Sequence, residues 1–186
     1  YHLILNNQML LTQTLNRCNS EIFHKPIIST NILHRPFIEE IDNNQFNKVI
    51  YEDVGKNTAA SILLSCLIEN DPRKYMLVLP SDHYIPDEEY FNDTVENALE
   101  HINEFNVITF GINPTYPSTQ YGYIHTPGTL DVAPVESFHE KPDILTVKRM
   151  IDSGEYLWNS GMFLFNISKL LDLVREINPS LISVLS

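Results

Sequence analysis

Glu140 and Lys141 stand side by side before Pro142 in FHEKPD, and Asn159, Ser160 and Gly161 follow the chain's single tryptophan in LWNSGMFLF. A carboxylate accepts hydrogen bonds from vicinal hydroxyls, and an ammonium grips phosphate as a point charge. The proline after the pair fixes its turn. Together these groups suit a phosphorylated sugar. Asn159 and Gly161 sit inside an otherwise apolar strand, where such residues cost stability unless something requires them. Asp82 ends the apolar run YMLVLPSD and offers a hard oxygen ligand for Mg2+ that also holds phosphate oxygens.

Each of these signals has a plainer alternative. Asp82 would also serve as a turn or N-cap residue, and EKP as a solvated turn. Asn57 and Thr58 in EDVGKNTAAS precede a helix, where they either recognise a nucleotide base or phosphate edge or simply cap the helix. Gly122 in STQYGYIHT marks either a close backbone approach to a ligand or a sheet corner. His83, a lone histidine beside Asp82, reads as structural or exposed. The sequence contains no G-x-S-x-G elbow, no H-E-x-x-H and no phosphate loop of the G-x-x-x-x-G-K-[ST] type.

The elements that must position these residues alternate in type. QMLLTQTLNRC (8–18) puts Met9, Leu10, Leu11 and Leu15 on one helical stripe. Strands are predicted at 26–30, 48–52, 75–80 and 106–112, with helices at 8–18, from Asn31 to about Asn43, from Asn57 and Thr58 onward, and over 87–105. That rhythm implies right-handed βαβ units and a mostly parallel sheet covered by helices on both faces. The continuous apolar run at 75–80 reads as a central strand of such a sheet. Ligands of open parallel sheets bind beyond the carboxyl ends of the strands, which places PSDH (80–83) and GINPT (111–115) at candidate sites. After residue 112 a β ribbon, a helix over about 143–152 and the strand LWNSGMFLF complete a single α/β domain.

Composition narrows the class. At 186 residues with 43% hydrophobic and 19% charged residues, the chain is globular, and its formal charge of −12 with only 12 Lys and Arg argues against a nucleic-acid partner. An acidic protein still binds a phosphorylated small molecule through backbone amides, a placed lysine and a divalent cation. No apolar run reaches the roughly 18–20 residues of a membrane span. The start YHLILNNQML lacks the basic region and cleavage site of a signal peptide, so the expected compartment is the cytoplasm. Cys18 and Cys66 are too few for a disulfide framework. The composition leaves the oligomeric state open, a homo-oligomer included.

Read in order, KNTAAS, LVLPSDHYIPD, ITFGINPTYPSTQYGYI, FHEKPD and GEYLWNSGMFLF resemble the bacterial mannose-1-phosphate guanylyltransferase (GDP-mannose pyrophosphorylase) family, part of the Rossmann-like sugar nucleotidyltransferases. The match runs from about Leu10 to Pro179. The resemblance implies transfer of GMP from GTP to mannose 1-phosphate, giving GDP-mannose and pyrophosphate with Mg2+ as cofactor. It implies Asp82 as Mg2+ ligand and, with Lys141, as catalytic. Asn57 and Thr58 would line the guanine pocket. Gly122, Glu140, Asn159 and Gly161 would bind the sugar, and Lys141 would hold its phosphate. The family's Gly-rich nucleotide loop matches nothing in residues 1–20, and its second Mg2+-binding aspartate lies downstream of WNSGMF. The expectation is therefore a catalytic domain over 1–186 that is the inner portion of a longer protein. Runner-up readings are a nucleotidyltransferase for another hexose 1-phosphate and a non-catalytic regulatory homologue that binds nucleotide sugars.

Overall fold

The computed structural model describes residues 4–5, 8–53, 58–69, 71–128 and 131–185. Along the chain, β1 (Ile4–Leu5) and β2 (Gln8–Met9) form a short hairpin that leads into α1 (Leu10–Arg17). There follow β3 (Ile27–Asn31), α2 (Arg35–Ile38), β4 (Lys48–Glu52), α3 (Thr58–Glu69), β5 (Tyr75–Val78) and α4 (Glu88–His101). The second half contains β6 (Val107–Ile112), β7 (Tyr123–His125), β8 (Ser137–His139), α5 (Ile144–Ser153), β9 (Tyr156–Asn166), α6 (Ile167–Ile177) and α7 (Pro179–Leu185).

The predicted helix from Asn31 to about Asn43 is much shorter in the structure. Asn31 does cap, accepting from Leu33 N at 2.9 Å, but it opens a 3-10 turn (Ile32–His34) and then the single turn of α2. Asp42 starts a second 3-10 turn in the same way, accepting from Asn44 N at 2.9 Å. Two short side-chain acceptors so close in sequence compete with a continuous helix.

β3 and β4 pair in parallel over five residues, as the βαβ rhythm requires. The larger sheet is organised around β9, which lies antiparallel to β5, β6 and β7. β5 and β6 therefore run parallel to each other with β9 between them. The reversal of β9 has a chain-tracing cause: the β7–β8 ribbon and α5 lie between β6 and β9 and turn the chain back.

Helices cover both faces of this sheet, and alternation along β9 shows it. Leu164 is buried with Phe91, Val95 and Ala98 of α4 and with Ile102 just past its end, while its neighbour Phe165 is buried with Leu63 and Cys66 of α3 and Leu171 of α6. A third cluster joins Val147 and Met150 of α5 to Tyr123 and Trp158. Among the described residues β3 pairs only with β4, and β5 only with β9. A cleft of about 950 Å3 lies between them, lined by Ile28 of β3, Leu77 of β5, Thr58 and Asp82.

The polar step in β9 is a bulge. Thr109 pairs with Phe163 and Gly111 with Asn159, so Phe110 alone opposes Ser160, Gly161 and Met162. Gly161 absorbs the distortion at φ 73°, a left-handed conformation that glycine adopts without a Cβ clash. Gly111 faces the same pairing with no room to spare: a Cβ there would land on Leu157 Cδ1, and 3.2 Å from Ile124 Cδ1. Gly111→Ala is expected to lower unfolding free energy by about 1–3 kcal/mol through overpacking. Urea denaturation checks this, and a wild-type midpoint would show that Leu157 moves aside freely.

Candidate active site

The residues expected to bind the sugar are brought together by the β7–β9 pairing. Asn159 N donates to Gly122 O at 2.8 Å, which locks the polar bulge of β9 to the glycine at the entrance of β7. A Cβ built on Gly122 would stand 2.9 Å from Phe138 Cζ and 3.0 Å from Glu140 Oε2. Gly122 thus allows the Glu140 carboxylate to lie over the backbone, a close approach rather than a bare sheet corner.

Asn159 is held in one orientation. Its Oδ1 accepts from Gly161 N at 3.2 Å and from the Thr109 hydroxyl at 3.1 Å. Because a backbone N–H can only donate, the oxygen is assigned and the Nδ2 group is left as a donor without a partner among the described residues. A fixed, unused amide donor beside Gly122 suits a hydroxyl acceptor.

Lys141 follows Glu140 in an uncommon conformation. It has φ 45°, and among the described residues it is the only non-glycine with positive φ. That backbone costs of order 1–3 kcal/mol and is found most often where function requires it. The turn is anchored directly downstream: Asp143 caps α5, accepting from Leu145 N at 3.0 Å, Thr146 N at 3.1 Å and the Thr146 hydroxyl at 2.7 Å. These bonds, the Thr146 hydroxyl first, hold the Asp143 carboxyl below the ordinary aspartate range. Lys141 Nζ lies 3.5 Å from Glu140 Oε1, with both side chains largely exposed. Such a pair contributes little to stability, so both groups remain available to a ligand.

Asp82 sits on the turn after β5, exposed, with no hydrogen bond or ion pair among the described residues. Pro80, two residues before it, is the nearest neighbour of Gly161, 3.5 Å from where a Cβ would be. The bulge of β9 therefore touches the turn that carries Asp82. Among the described residues no three His, Cys, Asp or Glu groups converge as a ready metal site. A lone, unpaired carboxylate nevertheless fits Mg2+, which keeps several waters and takes one or two carboxylates plus substrate phosphates.

The expected site residues fall into two groups that meet at Pro80 and Gly161. Gly122, Glu140, Lys141, Asn159 and Gly161 form the first. Thr58, the first residue of α3, and Asp82 line the cleft between β3 and β5. Asn57 lies outside the described residues. Burial raises the Cys18 thiol to about 11 and the Cys66 thiol to about 12, which disfavours the thiolate form of both.

The profile of the nucleotidyl transferase family matches residues 2–185. This chain belongs to that family. A mannose-1-phosphate guanylyltransferase of Escherichia coli is 34% identical over 192 residues, covering 94% of this chain and 40% of the relative. The chain thus spans about 40% of the length of that curated relative. A crystal structure described as a mannose-6-phosphate isomerase from Helicobacter pylori superimposes with TM-score 0.85 at 30% identity, over 98% of this chain and 71% of that one. One described as a mannose-1-phosphate geranyltransferase from Thermus thermophilus gives TM-score 0.81 at 28% identity, over 97% of this chain and 54% of that one.

Several residues that build the site escape a reading of the sequence. Tyr123 is fully buried; its hydroxyl accepts from Trp158 Nε1 at 2.9 Å and from Ser118 N at 3.3 Å, and donates to Ser118 O at 2.9 Å. Tyr116 and Tyr121 pack edge-on against Trp158, with ring centroids 5.0 and 4.9 Å away. Glu52 ends β4 at the cleft and accepts the hydroxyls of Ser29 and Ser61. The alternation in YGYIH signals the inward-facing Tyr123. No local pattern signals its two partners, Trp158 and Ser118. Tyr123→Phe leaves the Trp158 and Ser118 groups unpaired in a buried place, with an expected loss of about 1–3 kcal/mol. Urea unfolding followed by Trp158 emission measures the loss, and an unchanged midpoint would mean water replaces the hydroxyl.

Proposed function

We propose that this chain carries the sugar-binding and part of the nucleotide-binding walls of an enzyme that transfers GMP from GTP to mannose 1-phosphate. The observation that carries the reading is the convergence of Glu140, the free amide donor of Asn159 and the strained Lys141 around Gly122. The name of the Escherichia coli relative, mannose-1-phosphate guanylyltransferase, supports the choice of sugar and nucleotide.

Each group has a task that its geometry suits. Glu140 accepts hydrogen bonds from the hexose hydroxyls, and Asn159 Nδ2 donates to another. Gly122 lets the sugar approach the backbone as closely as Glu140 does. Lys141 neutralises the phosphate of the hexose, which lowers repulsion as one of its oxygens attacks the α-phosphorus of GTP in line. A new phosphorus–oxygen bond forms, the α–β bridging bond breaks, and pyrophosphate leaves with the bonding electrons. Asp82 would hold Mg2+ that, when bound, offsets the charge of the phosphates. Thr58, which lines the cleft, and its sequence neighbour Asn57 would recognise the nucleotide base. Rate enhancement of this kind is mainly positioning and charge neutralisation.

Pyrophosphate release by the full-length polypeptide, across four nucleoside triphosphates and a panel of hexose 1-phosphates with Mg2+, tests the assignment. Release is expected with GTP and mannose 1-phosphate. Another productive pair would change the substrate, and no release with any pair would overturn the activity. Lys141→Ala is expected to reduce kcat/KM for the sugar phosphate by about 100-fold or more with little change in melting temperature, the scale of losing a charged contact to substrate. Asp82→Asn is expected to abolish Mg2+-dependent turnover, and near-wild-type activity would reduce Asp82 to a turn residue.

A further inference from the structure

Arg17, the last residue of α1, is only 3% exposed, and among the described residues no carboxylate lies within ion-pair distance of it. Its Nη2 donates to His83 O at 3.1 Å, across 66 positions of sequence. The guanidinium carbon lies 5.3 Å from the centroid of the Phe91 ring in α4. Its Nε is buried with no hydrogen-bond partner. Burial lowers its pKa from the usual arginine range, as expected for a cation removed from water.

A buried cation whose acidic neighbour, Glu88, acts only from beyond ion-pair distance is costly to keep from water, and an apolar side chain of similar size would avoid that cost. What the arginine provides is a link between three elements. One end of the guanidinium holds the carbonyl next to Asp82, and its face rests on α4, the helix that follows the Asp82 turn. Asp82 itself makes no hydrogen bond or ion pair, so nothing on its own side chain fixes where the carboxylate stands. His83 feels both charges, Asp82 and Arg17, as two of the influences on its own lowered pKa, after burial.

We propose that Arg17 is a positioning residue for Asp82, anchoring the 81–84 turn through the His83 carbonyl so that the carboxylate is aimed at a divalent cation. The inference rests on the reading of Asp82 as a metal ligand. A guanidinium does this where a methionine or lysine does not, because its planar fork reaches a carbonyl and lies flat on a ring at once. A role confined to packing α1 against α4 would alter stability and leave metal affinity untouched.

The test uses Mn2+ as probe, titrated by electron paramagnetic resonance into the full-length polypeptide with GTP present, beside a thermal midpoint for every variant. Arg17→Met is expected to weaken Mn2+ binding by about tenfold or more, the scale seen when a residue orienting a metal ligand is removed. Arg17→Lys keeps the charge without the fork and is expected to weaken it less. If Arg17→Met does not fold, Arg17→Lys decides. Wild-type Mn2+ affinity in either folded variant, with or without a lower midpoint, overturns the proposal. Asp82→Asn is the reference: equal Mn2+ affinity in Asp82→Asn and wild type overturns the reading of Asp82 itself, and the inference falls with it.

Discussion

The Tyr123 hydroxyl is the contact on which the candidate site depends. It is fully buried and ties together the indole of Trp158 in β9, the Ser118 backbone in the loop before β7, and its own strand. With those three held, Trp158 pairs with Tyr123, and the next residue along, Asn159, meets the Gly122 carbonyl. Remove the hydroxyl and the loop carrying Tyr116 and Tyr121 loses its staple. A buried polar network of this kind is valuable only when each member is satisfied, because its low-dielectric surroundings penalise any orphan.

Around that hub the chain accepts local cost where the ligand would sit. β9 gives up ladder pairing at Ser160, Gly161 and Met162, and Lys141 takes a left-handed backbone directly before a proline, a place where the helical regions are disfavoured. Both change the direction in which a polar side chain leaves the backbone, and both are backed by regular structure: the remaining β6–β9 pairs on one side and the Asp143 cap of α5 on the other. Gly161 has a second effect, since its lack of a side chain lets Pro80 and the Asp82 turn come close.

Much of this is legible in the sequence because it rests on short-range patterns. Apolar periodicity locates α1, α3, α4, α5 and the strands β3 to β6, and the placement of EKP and WNSG marks the two stretches that meet at Gly122. The long helix predicted after Asn31 does not form, since the local acceptors Asn31 and Asp42 outweigh a weak helical stripe. The antiparallel course of β9 is not legible either, because an apolar run carries no sign of its direction. No sequence pattern marks Arg17. Its partner lies 66 residues away, and only the tertiary fold makes that pairing visible.

The central claim is that a hexose phosphate lies between Glu140–Lys141 and Asn159, close to the chain's single tryptophan. Titrating mannose 1-phosphate alone into the full-length polypeptide while recording Trp158 emission tests it directly, because the indole directly precedes Asn159 and packs against Tyr121, the residue before Gly122. The account predicts a saturable change that Glu140→Gln weakens and Lys141→Ala removes. A flat titration, or an equal response in the Lys141→Ala protein, would contradict it.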